Sequence, residues 1–364
     1  MNPKRSLWII LVSLFFLASL AKAEDRSVRV YNWVDYIGET TLSDFQKSTG
    51  IKPIYDVFDS NETLEGKLLA GHTGYDLVFP SNHFAERLIK AKVFEKLDRS
   101  KIPNWKNIDP VVLKQLEAND PGNLYTVPYM WGTTGIAYNK EKIKQVLGVD
   151  HIDSWSALFD PEVIKKLSKC GVAVMDSPDE LFPAVLAYQH KNPQSFDVKD
   201  YESALEVLKL VRPYIAYFHS SKYISDLANG NICVAMSYSG DSLQARDRAV
   251  DAKNGIEIEY AVPKEGSNIW FDVIAIPADA KNVDEAHAFI NFLLAPENIA
   301  KISSYINFAN GVPESKKYLP ESIVNNSTIY PPQEVIQRLY VSLDVPPKVM
   351  RWSTRAWSGL KSGN

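Results

Sequence analysis

The sequence has few of the residues that mark several large classes of protein. Only two of its 364 residues are cysteine and six are histidine. Two thiolates cannot hold an iron–sulfur cluster or build a four-cysteine zinc site. Asp and Glu outnumber Lys and Arg by 44 to 40, which argues against a nucleic-acid-binding protein because such proteins usually carry a basic surplus. The phosphate-binding motif G-x-x-x-x-G-K-[ST] is also missing, which argues against a P-loop ATPase.

The composition is that of a folded globular chain. Hydrophobic residues make up 45% and charged residues 23%, a balance that excludes wholesale disorder. The length predicts roughly two domains of about 150–180 residues each, and a core of that size needs no structural metal. We therefore expect no cofactor.

The first 23 residues have the pattern of a secretory signal peptide. Lys4 and Arg5 form a short positive region, and a nearly unbroken apolar stretch follows at 7–20. Ala21 and Ala23 are the small residues that a signal peptidase reads, which predicts cleavage after Ala23. The alternative is a membrane anchor, which would need about 20 apolar residues. We predict an exported protein, and no later apolar segment is long enough to span a membrane.

Cys170 and Cys233 are expected to pair after export, because disulfides persist in oxidising compartments. Closing a loop of this length would stabilise the fold by about 4 kcal/mol on the chain-entropy model. The alternative is a pair of buried free thiols.

Strand-like and helix-like patterns alternate along the chain, which indicates parallel sheets with helices on their faces. Gly50 is expected to end the first helix, and Asn61 to cap the second. The Gly- and aromatic-rich segment 125–138 is interpreted as a hinge, with an ordinary loop as the alternative. The predicted strands are 28–31, 51–57, 75–79, 171–175, 232–237 and 270–276, and the predicted helices include 40–49, 84–93, 201–210, 223–228, 284–294 and 296–306.

Carboxylates and aromatic side chains recur near the ends of the predicted strands, where open α/β sheets bind ligands. Carboxylates around one cleft repel one another, and a polycation relieves that repulsion. Aromatic faces attract alkylammonium ions and also pack on methylene chains. The set predicts an elongated ligand with cationic ends, although core packing or helix capping would explain any one residue alone. The residues are Trp33, Asp35, Ser81, Asp176, Glu180, Tyr238, Asp241, Trp270 and Asp272.

At these residues the sequence resembles the periplasmic polyamine-binding proteins of ABC importers, the family that captures putrescine and spermidine. The resemblance implies an α/β fold of two lobes, each a mostly parallel sheet flanked by helices, with the ligand cleft between them. It also implies a periplasmic protein that serves an inner-membrane ABC permease, and we expect a monomer. The matching segments are YNWVDYI at 31–37, YDVFDSNE at 55–62, DLVFPS at 76–81, YFHSS at 217–221 and ANG at 228–230.

The resemblance also implies roles for individual side chains. Ser81 would add a hydroxyl hydrogen bond to the ligand, and Cys170 and Cys233 would form a disulfide. The expected aromatic walls are Trp33, Tyr238, Trp270 and Phe308, and the expected ammonium ligands are Asp35, Glu180, Asp241 and Asp272.

Some positions depart from the family pattern. Val34 replaces a usual Ser or Thr, so it would offer the ligand only packing or backbone contact. His83 occupies a variable position, where a neutral imidazole could line the cleft. Trp270 resembles triamine binders and Asp241 resembles diamine binders, so the choice between spermidine and putrescine stays open with a slight lean to spermidine.

A two-lobed fold of this kind requires the chain to cross between lobes more than once. We expect residues 24–130 to form the first part of lobe 1, and 131–255 the first part of lobe 2. Residues 256–306 are expected to return to lobe 1, and 307–364 to complete lobe 2.

Two other functions have some support in the sequence. Residues 240–243 spell the GDSL motif of a secreted esterase, with Ser242 as nucleophile and Asp284 and His287 in an Asp-x-x-His pattern. The order and spacing differ from those esterases, so Ser242 is interpreted as a helix-start hydroxyl and His287 as a partly exposed helix residue. A periplasmic metal-binding protein of similar fold is the second alternative, although the many aromatic residues argue against it.

Overall fold

The computed structural model describes residues 26–363, so the predicted signal peptide at 1–23 lies outside the described residues. The strands are β1 (Ser27–Trp33), β2 (Lys52–Phe58), β3 (Leu77–Val78), β4 (Thr126–Asn139), β5 (Val172–Val174), β6 (Tyr217–Phe218), β7 (Val234–Tyr238), β8 (Ile258–Ala261), β9 (Ser267–Ala275), β10 (Ala309–Asn310) and β11 (Leu339–Val341). The helices are α1 (Thr41–Thr49), α2 (Asn61–Ala70), α3 (Asn82–Lys90), α4 (Pro110–Leu116), α5 (Lys140–Leu147), α6 (Ser156–Phe159), α7 (Pro161–Leu167), α8 (Pro178–Tyr188), α9 (Val198–Val211), α10 (Lys222–Ala228), α11 (Ser239–Asp251), α12 (Val283–Leu293), α13 (Pro296–Ile306), α14 (Glu321–Val324), α15 (Gln333–Ile336) and α16 (Pro347–Ser362).

The strands are ordered β2-β1-β3-β9-β4-β7-β5-β6. Strand β1 pairs in parallel with β2 and β3, and β5 pairs in parallel with β6 and β7. Helices α1 and α2 connect the first three strands, as a parallel arrangement requires. The predicted alternation of strands and helices is therefore confirmed in both halves of the chain.

Strand β4 connects the two halves of the sheet. Its first part, from Thr126 to Thr133, pairs antiparallel with β9, and its second part, from Thr134, pairs with β7 and β8. The loop alternative for the segment 125–138 is wrong, because Thr126–Asn139 is a 14-residue strand. The role of this segment as a hinge stays a prediction. Nearly all its residues are buried, and a strand buried on both faces lacks the alternating pattern that would reveal it.

Each half of the molecule has its own hydrophobic core. Val30, Phe79 and Ile274 belong to the core around β1, β3 and β9, whereas Val172 and Val234 belong to the core around β5 and β7. Burial of apolar surface stabilises each half separately, at about 25 cal/mol per Å². The predicted lobe boundaries stay a prediction.

Two local predictions near the first helices had different outcomes. Gly50 ends α1 with a left-handed φ of 71°, which confirms the predicted glycine cap. The prediction of Asn61 as the next cap is wrong, because Ser60 accepts the hydrogen bond from the Thr63 amide. Asn61 is thereby free to make the contact with Ser81 described below.

Cys170 and Cys233, which are 63 positions apart in the chain, form a disulfide with their Cα atoms 5.5 Å apart. The predicted pairing is therefore confirmed. Cys170 ends a short 3-10 turn after α7, and Cys233 directly precedes β7. The disulfide therefore links the segment after α7 to the start of β7. Across residues 26–363, no helix is both long and apolar enough to cross a bilayer.

Candidate functional site

A cleft lies between the two halves of the molecule, where β1 and β7 end and where β3 leads into α3. Residues from both halves line it, as expected for ligands that bind beyond the carboxyl ends of strands. The structure brings all ten predicted ligand-binding residues to this cleft: Trp33, Val34, Asp35, Ser81, Glu180, Tyr238, Asp241, Trp270, Asp272 and Phe308.

Asp272 is the most strongly positioned carboxylate on the β9 side of the cleft. It is only 5% exposed, and Oδ1 accepts a 2.7 Å hydrogen bond from Ser81 Oγ. Asn61 fixes Ser81 in turn, because its amide donates to Ser81 Oγ and its carbonyl accepts from the Ser81 backbone N–H, both at 3.0 Å. Trp270 lies two residues before Asp272 in the same strand, so both side chains share one face.

Glu180 approaches the cleft from the other half of the molecule. It lies in the first turn of α8, where a negative charge is favoured by the helix dipole. Thr134 Oγ1 donates to one carboxylate oxygen at 2.8 Å, and Asn268 Nδ2 donates to the other at 2.9 Å. Thr134 is in β4 and Asn268 in β9, so the central strands hold a side chain of α8 in place.

Asp241 is the third acidic group, in the first turn of α11. The Tyr223 hydroxyl donates to its Oδ2 at 2.5 Å. Like Asp272 and Glu180, Asp241 has only neutral hydrogen-bond donors. None of these three carboxylates forms an ion pair within the part of the chain that the structure describes.

Burial raises the pKa of Glu180, Asp241 and Asp272 to about 7 in each case. The neutral hydrogen bonds to these carboxylates lower the pKa values and offset part of that effect. The charge of Arg248 also lowers the pKa of Asp241. Among the described residues, all three carboxyl groups still lack an ion-paired countercharge. A ligand with two or more ammonium groups would supply it.

Aromatic rings form the apolar part of the cleft. Trp270 lies edge-on to Tyr238 and to Phe308, with ring centroids 5.4 Å and 5.3 Å apart. Trp33 packs against Phe58 at 4.6 Å and donates its indole N–H to the Phe79 carbonyl at 2.7 Å. These contacts hold the rings in fixed orientations around an aromatic slot in the cleft.

Two of the predicted residues are placed differently from the rest. The Asp35 side chain is 71% exposed and lies 3.8 Å from the Arg248 guanidinium, and its backbone has a φ of 54°. Val34 is 49% exposed. We call this exposed pair the cleft mouth, and we call Glu180, Trp270, Asp272 and Phe308 the cleft floor, since all four are buried.

Comparison with known proteins assigns the chain to a family. The model of the family described as "Bacterial extracellular solute-binding protein" matches residues 40–329, which is most of the sequence. The chain belongs to this family of solute-binding proteins.

Similar proteins agree over nearly the full length. The chain is 51% identical to the putrescine-binding periplasmic protein SpuD of Pseudomonas aeruginosa, covering 95% of each. It is 50% identical to the putrescine-binding periplasmic protein PotF of Escherichia coli, covering 94% of this chain and 93% of that one. Among solved structures, the spermidine/putrescine substrate-binding protein PotD of Streptococcus pneumoniae superposes with a TM-score of 0.77 at 29% identity, covering 93% of this chain and 99% of that one.

These similarities confirm the predicted fold class, a two-lobed α/β binding protein. Its named relatives are solute-binding proteins, and several are periplasmic.

Our sequence reasoning did not include several residues that line the cleft of this solute-binding protein. Asn61, Glu62 and Asp179 belong to this group. Asn61 and Glu62 are within the matching segment 55–62, which was a signal for them. Asp179 directly precedes Glu180, and no pattern distinguished the two acids. Asp176, predicted near a strand end, also lines the cleft, where it accepts hydrogen bonds from Trp357 and Lys361.

His83 lies in the first turn of α3 and lines the cleft, as expected for a neutral imidazole. Burial and the nearby Arg87 cation lower its pKa to about 3. Neither of its ring nitrogens has a hydrogen-bond partner in the described structure. A charged His83 would be unfavourable in this position.

The residues of the esterase motif have structural partners in this solute-binding protein. The Ser242 hydroxyl donates to the Ser239 carbonyl at 2.6 Å, as a residue near a helix start does. His287 was predicted to be partly exposed, but it is buried. Its Nδ1 contacts the Val283 carbonyl at 2.7 Å, and its Nε2 accepts from the Asp98 amide at 2.9 Å. Both ring nitrogens therefore bond to backbone groups.

Residues 26–363 contain no group of three or more His, Cys, Asp or Glu side chains arranged to hold a metal ion. Asp272, Glu180 and Asp241 in the cleft accept hydrogen bonds from neutral donors. This arrangement differs from the clustered oxygen and nitrogen ligands of a metal centre.

Proposed function

We propose that this solute-binding protein captures a polyamine, putrescine or spermidine, in the periplasm and delivers it to an ABC importer of the inner membrane. One observation carries the proposal: three carboxylates with only neutral hydrogen-bond donors surround an aromatic slot. Alkylammonium groups would neutralise the carboxylates, and the rings would pack on the methylene chain.

Each site residue has a role in this proposal. Asp272, Glu180 and Asp241 bind ammonium groups, Ser81 orients Asp272, and Asp35 binds an ammonium group at the cleft mouth. The walls of the slot are Trp33, Tyr238, Trp270 and Phe308, with Val34 in packing contact. Because both halves of the molecule contribute, the ligand favours the conformation in which they are close together.

The names of the relatives bear on the length of the ligand. Two relatives at about half identity are described as putrescine-binding. They move the first expectation from spermidine to putrescine, whereas Trp270 still favours a longer ligand by its resemblance to triamine binders. Titration of both ligands decides between them.

The test is isothermal titration of ligand-free, refolded protein with putrescine, cadaverine, spermidine and spermine. Refolding matters because a co-purified polyamine would mask binding. We expect tight one-to-one binding of at least one of the four. Absence of binding to all four would overturn the proposal and leave only the family and the fold.

We further propose that the protein acts by capture without catalysis, as a monomer, after cleavage behind Ala23. An ester-hydrolysis assay on wild type and on Ser242→Ala tests the first point. Light scattering gives the mass in solution, and N-terminal sequencing of the exported protein gives the cleavage position. Hydrolysis that disappears in Ser242→Ala would favour the esterase alternative.

A further inference from the structure

Two glycines lie directly behind two aromatic rings of the cleft. A Cβ atom on Gly132 would lie 2.7 Å from Cζ2 of Trp270 and 2.9 Å from Oγ of Ser239. A Cβ atom on Gly240 would lie 2.5 Å from both Cζ and Cε2 of Phe308. These separations are shorter than van der Waals contact, so a side chain at either position would displace a ring.

The backbone does not require glycine at these two positions. Gly132 and Gly240 both have negative φ angles, unlike the ten described glycines with a positive φ. Gly132 is inside β4 and Gly240 is in the first turn of α11, where glycine is less favourable than alanine for conformational entropy. Space for the rings is therefore the physical reason for glycine at both positions.

The rings that contact these glycines are buried and packed against each other. Trp270 is 5% exposed, and its ring meets both Phe308 and Tyr238 edge-on. Phe308 also packs edge-on against Tyr36, with centroids 5.4 Å apart. With neighbours on these sides, the cleft is the direction in which a displaced ring has room.

We propose that Gly132 and Gly240 are positioning residues that set the width of the aromatic slot. The inference rests on the proposed function, because the slot is taken to hold the methylene chain of a polyamine. Each glycine lets one ring lie back from the cleft: Gly132 for Trp270, and Gly240 for Phe308. A methyl group at either position pushes that ring into the space of the ligand.

The first test replaces each glycine by alanine and measures binding of the polyamine that wild type binds best. We expect Gly132→Ala and Gly240→Ala each to weaken binding by about tenfold or more, the range of an overpacked site. Gly240→Ala gains helix propensity but crowds the buried Phe308 ring, so its thermal stability is measured beside its affinity. A loss of affinity in a variant that is still folded at the temperature of the titration is then a signature of ring position.

The second test asks whether a smaller ring removes the effect. In the Trp270→Phe background, Gly132→Ala should cost little further affinity, because the benzene ring lacks the indole atoms that clash. In the Phe308→Leu background, Gly240→Ala should likewise cost little, because leucine lacks Cζ and Cε2. Such double-mutant cycles isolate the contact between glycine and ring from other effects, including the neighbouring Ser239.

The control is Gly66→Ala, on the exposed face of α2, where a Cβ meets no atom within 4 Å. It should bind as wild type does. The inference is overturned if both cleft glycines tolerate alanine without loss of affinity, or if the loss is undiminished in the smaller-ring backgrounds. If Gly132→Ala does not fold, the Gly240 cycle still tests the inference. A wild type that binds no polyamine contradicts the proposed function instead.

Discussion

The cleft floor and the cleft mouth both present carboxylates, but in opposite environments. On the floor, Asp272 and Glu180 are buried and receive hydrogen bonds from Ser81, Thr134 and Asn268. At the mouth, Asp35 is exposed, and its charged contact is Arg248, which is also exposed, at 3.8 Å.

This difference predicts how much each carboxylate contributes to binding. Coulomb attraction is weak in water and several-fold stronger where water is excluded. A fixed, buried carboxylate also needs no reorganisation when an ammonium group arrives. The floor should therefore supply most of the affinity, and the mouth should contribute mainly to early encounter. The following substitutions and pH titrations test this difference between floor and mouth.

The largest effect is expected for Asp272→Asn. The amide keeps the size of the side chain but leaves a buried ammonium group without its countercharge, which costs about 3 kcal/mol or more. Titration should show affinity reduced by about a hundredfold or more. Asp251→Asn, at the exposed end of α11 outside the cleft, is the matched control. If Asp272→Asn binds every polyamine with near wild-type affinity, the cleft floor does not supply most of the binding energy.

The next effect is a dependence of affinity on pH. Glu180, Asp241 and Asp272 have pKa values of about 7 in the empty cleft, whereas a bound ammonium group favours their ionised forms. Below about pH 7 the protons must leave before the ligand binds, so affinity falls by up to about tenfold per pH unit for each proton released. Above about pH 8 the affinity should level off.

Titrations in buffers of different ionisation enthalpy would count the protons released. Glu180→Gln and Asp241→Asn should each reduce that count. The folding stability of the ligand-free protein depends on pH in the opposite direction to the ligand affinity. Its folded state binds more protons than its unfolded state between about pH 4 and pH 7. These carboxyl groups therefore make the empty protein less stable as the pH rises through this range. A flat affinity from acid to neutral pH would contradict the floor as described.

Trp270→Phe is expected to have a smaller effect that depends on the ligand. A phenyl ring covers less of a long methylene chain than an indole does, which changes affinity by about 0.5–1.5 kcal/mol. The ratio of spermidine to putrescine affinity should shift. An unchanged ratio would show that Trp270 packs against the ligand but does not select its length.

The smallest effect is expected for Asp35→Asn at the cleft mouth. An exposed charge pair contributes about 0.2–1 kcal/mol and is screened by salt. Affinity should fall by only a few fold, and less at high ionic strength. A loss as large as that of Asp272→Asn would mean that the mouth closes over the ligand and excludes water there.

The sequence predicted which residues line the cleft better than it predicted the contacts between them. All ten predicted residues line the cleft. Most of them lie near a predicted strand end, whereas Phe308 was expected only from the family resemblance. The role of Asn61 was not predicted: its hydrogen bonds to Ser81 join residues that are 20 positions apart, and no local pattern reveals such a contact. The local pattern indicated a helix cap instead. The pairing of β4 was not predicted either, because its partner strands β7 and β9 are far away in the sequence.

Local patterns in the sequence are enough to predict the alternation of strands and helices, the glycine end of α1, and the acidic and aromatic character of the cleft. These features follow from local propensity and from short motifs. The burial of particular carboxylates follows from the folded structure, because it depends on the packing of α8, β9 and α11 around one space. The folded structure also explains why Gly132 and Gly240 are glycines, because Trp270 and Phe308 reach them only in the folded molecule.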